Sequence, residues 1–366
     1  MAPGGPPFRI VSLKRSLHLE LHALSHERIS RRRVLAAAGA AGVGTVAGCT
    51  GDDADGATTG STGGGGPIAI GSIQPLSGPF SVWGRVHASG LAFAVDEIND
   101  DGGVLDGRSL TVVEADSGSD PAEAASVFER FAEQDDVVAA TGPVSSDVGI
   151  RTSRTAEALG IPMYAHLAGS SDVITPETRH TFRVGLLPAA PTMRAQAALA
   201  EARGYESIAA IVADYAWGRS VQSAIEATFA VDVNVQVAPV SESDFSTYVR
   251  RIPDDVGMVV TSGHPPGVLT ITQQLYELGY DPGVVTGSSF PPDVVRSALG
   301  ADADRGFTHV HLADPYTDEF AAVAARYAEA VGEQFNTHTA HGYVTGKLIA
   351  QAIEDAGTAD PEAITE

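Results

Sequence analysis

The sequence predicts an α/β protein of two Rossmann-like, doubly wound lobes. Three observations carry this. Short β-rich runs alternate with segments of helical period from Ile68 onward, as parallel strands joined by helices require. The alternation comes in two series, the second beginning after Pro188. A chain of 366 residues, 43% of them hydrophobic, is long and apolar enough for two ordinary domains with real cores.

In the first series, 68–73 reads as a strand, followed by a Pro/Gly loop. A helix follows over 88–99, with Leu91, Val95 and Ile98 on one face. Residues 109–115 read as the next strand. Asp120-Pro121-Ala122-Glu123 is a helix start: Asp as cap, Pro in the first position, Glu three after the cap. Phe128 and Phe131 then point inward. A strand over 137–141, a helix over 147–159 and a strand over 161–164 complete the series. The second series gives helices over 192–203, 219–229, 244–251 and 266–278. Its strands fall at 207–213, 233–239, 256–261 and 283–287. No short fixed period is visible, which argues against a solenoid.

Composition narrows the function. Lys and Arg number 23 against 46 Asp and Glu, a formal net charge of -23 with a pI near 4.7. Nucleic-acid binding needs clustered cations, so this balance argues against it. Seven cations and two acids precede Thr50; the remainder carries 16 and 44, a net of -28, and its one lysine is Lys347. Self-repulsion of that size is relieved by concentrated salt, where the Debye length falls to about 3 Å at 1 M. The expectation is a halophile's protein. The single cysteine, Cys49, excludes an internal disulfide and a multi-cysteine zinc site.

The first fifty residues read as an address and an anchor. Ser30-Arg31-Arg32-Arg33-Val34-Leu35 sets paired arginines before a mildly apolar Ala/Gly stretch too short to span a bilayer. It resembles a twin-arginine export signal. Val46-Ala47-Gly48-Cys49 resembles a lipobox, with Cys49 as the lipid attachment site. Gly42-Val43-Gly44-Thr45-Val46-Ala47 matches a dinucleotide fingerprint but sits inside the export signal, not in a βαβ unit, so no cofactor is expected. A Gly/Ser/Thr/Asp tether leads to the folded part. The division expected is a signal over 1–49, a linker over 50–66, a first lobe over 67–187 completed by 314–366, and a second lobe over 188–313.

Ligands of open α/β sheets bind beyond the carboxyl ends of the strands, so the loops there hold the candidates. They run from Gln74 to Gly84, from Gly142 to Ser146 and from Ala165 to Ser171. In the second series they run from Asp214 to Gly218, from Ser262 to Pro266 and from Ser288 to Phe290. Both tryptophans, Trp83 and Trp217, fall in these loops. Ser145 and Ser146 before a helix suit a carboxylate or another negative oxygen; a plain helix cap is the simpler reading of either alone.

Several of these segments carry a family resemblance. Pro75-Leu76-Ser77-Gly78-Pro79, Ala94-Val95-Asp96-Glu97-Ile98-Asn99, Ser119-Asp120-Pro121, Thr141-Gly142-Pro143-Val144-Ser145-Ser146, Asp214-Tyr215-Ala216-Trp217-Gly218-Arg219 and Asp244-Phe245-Ser246 resemble the leucine/isoleucine/valine-binding family of type I solute-binding proteins. The resemblance covers nearly all of the folded part. It implies the periplasmic binding protein type I fold, with two lobes hinged about a central cleft. It implies capture of a branched-chain amino acid or related small polar solute, and ABC permease and ATPase subunits as partners. A monomer is implied too, and the lipid on Cys49, read independently as its only hold on the outer face of the cell membrane, agrees with this. A receptor or sensor of the same fold, for an amide, a urea-like compound or a carboxylate, is the alternative.

Matched position by position, the resemblance makes Trp83 the aromatic at the solute's side-chain end. Ser145 and Ser146 become the carboxylate loop, and Ala168 the residue whose backbone faces the solute. Gly169 stands where a hydroxyl residue is frequent. Trp217 is the second-lobe aromatic, frequently Tyr, and His264 lies in a loop that frequently supplies another Tyr. Ser289 stands where amino-acid binders place an acid for the ammonium. A buried ammonium without a carboxylate costs several kcal/mol, so Asp214 or Asp172 becomes the candidate substitute. The family also continues with strands past the point where this chain stops, at Glu366.

Enzyme signatures are missing: no G-x-S-x-G elbow, no phosphate-cradling G-x-x-x-x-G-K and no H-E-x-x-H. His309 and His311 sit on an expected strand, and His338 and His341 at a helix start. With no third ligand indicated, lobe packing is the expectation for them rather than metal binding.

Overall fold

The computed structural model describes residues 65–262, 267–287, 290, 292–305, 307–308 and 313–366. The arginine motif, Cys49, residues 50–64, His264, Ser289, His309 and His311 lie outside the described residues.

The first series runs β1 (Ile68–Gln74), α1 (Ser81–Asp100), β2 (Leu110–Asp116), α2 (Pro121–Gln134), β3 (Val137–Thr141), α3 (Ser146–Leu159), β4 (Met163–Ala165) and β5 (Thr181–Arg183). Its strands form one parallel sheet in the order β2-β1-β3-β4-β5. The second runs α4 (Ala189–Arg203), β6 (Ile208–Ala213), α5 (Ala216–Thr228), β7 (Val233–Ala238), α6 (Ser246–Val249), β8 (Met258–Ser262), α7 (Gly267–Glu277), β9 (Val284–Thr286), α8 (Pro292–Leu299) and β10 (Phe307–Thr308). Its parallel sheet is ordered β10-β9-β8-β6-β7. The two sheets share one topology: the first strand of each series has the second on one side and the remaining three on the other. Strand order therefore reverses between β1 and β3, and between β6 and β8. Crevices open at such points, beyond the carboxyl ends of the strands.

Helices on both faces explain why β3, β6 and β8 are buried at every residue and apolar almost throughout. Two clusters sandwich the first sheet. One joins Ile68 and Ile70 to Val95, Ile98 and Leu110; the other joins Ile73 to Phe128, Phe131, Val148 and Met163. The chain then forms α9 (Asp318–Val331), α10 (Thr337–Ala356) and α11 (Pro361–Thr365). Ile349 and Ile353 of α10 and Ile364 of α11 enter the Ile68 cluster. Tyr327 of α9 packs edge-on against Phe93, 5.3 Å between ring centroids. The α1–α10 crossing is glycine-dependent. A Cβ on Gly342 would lie 2.0 Å from the His87 carbonyl oxygen, and one on Gly90 would lie 2.0 Å from that of Thr339.

Local chemistry explains agreements and departures alike. Asp120 caps α2, its carboxylate accepting from Ala122 N (2.8 Å) and Glu123 N (2.9 Å). α1 begins at Ser81 rather than at 88, and α5 at Ala216 rather than at 219. Trp83 and Trp217 therefore stand on first helical turns, not in loops; Gly84 and Gly218 resemble loop residues but lie inside helices against neighbouring backbone. The helix expected over 244–251 is one turn of α helix, beyond which Arg251 N and Ile252 N bond to carbonyls three residues back. β5, three residues inside a polar stretch, has no periodicity to betray it. Among the described residues no helix is long and apolar enough to cross a membrane.

Candidate functional site

The first wall is built where β1 ends. Gln74, fully buried, brings its amide beside Gly142 at the carboxyl edge of the sheet, and neither of its polar atoms has a hydrogen-bond partner. The loop beyond it is held from two sides. The Asp116 carboxylate accepts from Leu76 N (2.9 Å), Ser77 N (3.2 Å) and Gly118 N (2.8 Å). Arg85 donates twice to the Leu76 carbonyl, at 3.0 and 2.9 Å. Burial works to raise the Asp116 carboxyl, but these hydrogen bonds outweigh it and hold the group below the usual carboxylate range. So fixed, the loop delivers Phe80 and Trp83, both buried, with ring centroids 6.2 Å apart.

The second wall is the start of α3 and the loop after β4. Ser145 caps α3 in extended conformation without using its side chain as a cap. The Ser146 hydroxyl accepts from Ser170 N at 3.1 Å, tying the two loops together. Arg183 of β5 reaches beneath and donates to the carbonyls of Ala168 and Ser170, the latter at 3.2 Å. Burial lowers the Arg183 guanidinium to about 10, still charged at neutral pH. The Ala168 carbonyl is thus engaged by Arg183, and the Ser146 hydroxyl by Ser170.

The second lobe meets both walls. Phe290 packs on Trp83 with centroids 4.9 Å apart, and Tyr215 on Phe80 at 5.9 Å. Trp217 lies against Gly169, where an added Cβ would stand 2.5 Å from the indole. The hydroxyls of Ser170 and Ser220 meet at 2.9 Å. On the rim, Arg219 bridges Asp147 of α3 (3.8 Å) and Asp214 (3.4 Å), with Asp147 half-buried and the other two exposed. Burial first, and the Asp147 charge second, push the Tyr215 phenol far up, so it stays protonated.

No carboxylate is buried among the described residues. Asp172 and Asp214 are both exposed, the latter engaged by Arg219, so neither supplies a buried partner for an ammonium. Beneath Trp83 lie four buried histidines: His87, His166, His338 and His341. His338 stands 6.5 Å from the Trp83 ring. The third imidazole that the His338/His341 spacing lacked in sequence is His166, brought in from the loop after β4.

Of the sequence candidates, Trp83, Ser145, Ser146, Ala168, Gly169 and Trp217 converge on the strand-order reversals, while His264 and Ser289 lie outside the described residues. Gln74, Phe80, Ser170, Tyr215, Ser220 and Phe290 join them. Their loops were legible; the individual side chains carry no signal beyond an aromatic or polar residue after a strand.

Comparison with known proteins agrees with this architecture. The model of the periplasmic binding protein family matches residues 67–366, and the chain belongs to that family. A Leu/Ile/Val-binding protein, BraC3, of Rhizobium johnstonii is 29% identical over 309 residues, covering 81% of this chain and 82% of the relative. The fold is shared with the branched-chain amino acid transporter substrate binding protein LivJ of Streptococcus pneumoniae, solved with isoleucine. The TM-score is 0.71 at 22% identity, over 82% of this chain and 86% of that one. A solute binding protein of an ABC transporter from Rhodopseudomonas palustris, solved with 3,4-dihydroxy benzoic acid, also aligns at a TM-score of 0.71. It is 18% identical over 81% of this chain and 84% of that one.

Proposed function

We propose that the chain is the extracytoplasmic solute-binding component of an ABC transporter, taking a branched-chain amino acid or related small polar solute between its lobes. The observation that carries this is the meeting of the two strand-order reversals, Trp83 against Phe290 and Trp217 against Gly169. In this reading Ser145, Ser146, Gln74 and the backbone about Ala168 and Gly169 receive the solute first. Trp83 walls its apolar end. Trp217, His264 and Ser289 close from the second lobe, over 188–313, and contacts made only when closed shift the population. The first lobe spans 67–187 and is completed by 314–366. A twin-arginine signal would export the folded chain, and a lipid on Cys49 would hold it as a monomer to the outer face of the cell membrane, in a salty medium to which its charge is suited. Permease and ATPase subunits complete the transporter.

The solute class has a second reading, favoured by one observation: no carboxylate is buried among the described residues. An unpaired ammonium is costly, whereas an amide, a urea-like compound or an acid without an ammonium needs no such partner. A thermal-shift panel on the full chain separates the two. It would contain leucine, isoleucine, valine, their 2-oxo acids, benzoates and small amides. A solute at 100 times its Kd adds about 2.7 kcal/mol of stability. Shifts with the amino acids support the first reading, and shifts with the acids or amides alone support the second. A folded sample that responds to none of them counts against both.

A further inference from the structure

The histidine layer is not used by solute capture as proposed, yet its geometry is that of a ligand set. The ring centroids of His166, His338 and His341 form a triangle with all three sides 5.5 Å. The ring planes cross steeply, at 72°, 72° and 89°. Three imidazoles on a tetrahedral zinc ion, with Zn–N near 2.0–2.1 Å, place their centroids about 5.2 Å apart and their nitrogens about 3.3 Å apart. Here His338 Nδ1 and His166 Nε2 stand at 3.4 Å. One ligand atom from each residue lies within 4.8 Å of the other two, so the rings must turn inward to close on an ion.

The frame behind the rings is rigid. His338, in the first turn of α10, and His341, just beyond it, are three apart, so they share a face. That turn is capped by Asn336, whose side chain accepts from His338 N (2.9 Å) and Thr339 N (3.1 Å). The helix is locked to α1 by the Gly90 and Gly342 contacts. His166 is anchored through its carbonyl, which accepts from Leu186 N at 2.9 Å. His87 stacks on His166 at 4.1 Å. Thr141 Oγ1 gives its hydrogen to the Tyr164 carbonyl (2.8 Å), so at 3.2 Å it must accept from His87 Nε2–H. That fixes the His87 tautomer and leaves its Nδ1 lone pair, which has no hydrogen-bond partner, unprotonated.

We propose that His166, His338 and His341 bind a borderline divalent transition metal ion, of which zinc is the type, with His87 positioning His166 from behind. Neutral imidazoles suit zinc, copper and nickel, whereas magnesium and calcium demand oxygen ligands that this cluster lacks. A water or hydroxide would supply the fourth ligand, as in three-histidine zinc sites.

The test uses the full, tag-free chain, equilibrated with Zn²⁺ alone in the presence of excess Mg²⁺ to occupy surface carboxylates. One zinc per chain should survive gel filtration, and Co²⁺ in its place should show the intense visible bands of a four-coordinate site. His341→Gln should weaken zinc binding by about 100-fold or more, while His180→Gln, a buried histidine elsewhere, should retain it. Anomalous scattering from zinc-soaked wild-type crystals locates the ion whether or not the His341 variant folds. An ion between the three rings supports the site. Zinc that is not retained, that survives His341→Gln, or that lies elsewhere overturns it.

Discussion

Gly169 and Trp217 are separate departures from the family pattern in sequence, yet in space they are one. The indole occupies the volume a side chain at 169 would need. Gly169→Ser should weaken solute binding by about tenfold or more, because the added atoms must push Trp217 aside at a cost of about 1–3 kcal/mol. Adding Trp217→Tyr should recover part of that loss; calorimetry of the single and double variants showing strict additivity would remove the coupling. Glu157 permits a prediction in pH. Burial works to raise its carboxyl, but His180 N (2.7 Å), the His180 ring (3.2 Å) and Arg179 N (3.0 Å) outweigh burial and leave it depressed. A carboxylate depressed in the folded state stabilises above its unfolded pKa, and that stability is lost as pH falls through the folded value. Glu157→Gln should therefore cost about 1 kcal/mol at pH 7, and the two denaturation midpoints should converge as pH falls through the depressed Glu157 range and the carboxyl protonates. A gap independent of pH would assign the loss to packing. None of these pairings was legible in sequence, since partners such as Gly169 and Trp217 lie 48 positions apart and no local pattern joins them.

Elements were more legible where their own residues decide them. The Asp120–Glu123 start of α2 is written in four consecutive residues, and the alternating buried strands in their apolar runs. The first turns of α1 and α5 were not. They carry glycines that read as loop, and they are helical because Trp83 and Trp217 are buried against the opposite lobe. The α1–α10 crossing shows the same dependence on a distant partner. Gly342→Ala gains up to about 1 kcal/mol of helix propensity, but its Cβ would meet the His87 carbonyl at 2.0 Å. The clash should win, lowering stability by about 1–3 kcal/mol in urea titration. A neutral or stabilising result would show that the two helices can part without cost.

At the scale of the molecule, charge and topology are read at different levels. The order of the strands within each sheet cannot be read from periodicity, which gives elements but not their neighbours. The charge is plain in composition: a net of -28 beyond residue 49, with Lys347 as the one lysine there. That lysine contacts Glu97 at 3.3 Å, in a knot with Arg326 and Tyr343 that joins α1, α9 and α10. Screening should act on the repulsion left over. Between 0.1 and 2 M KCl the Tm should rise by at least about 5 °C, and scanning calorimetry showing a flat or falling Tm would sink that expectation. The position of the tryptophans has a further use. The chain has two indoles in all, Trp83 and Trp217, and both are buried where the lobes touch. Every photon of intrinsic tryptophan emission therefore originates at that contact. Lobe motion can be followed in real time with no dye and no label, and single Phe replacements would assign the signal to one lobe or the other.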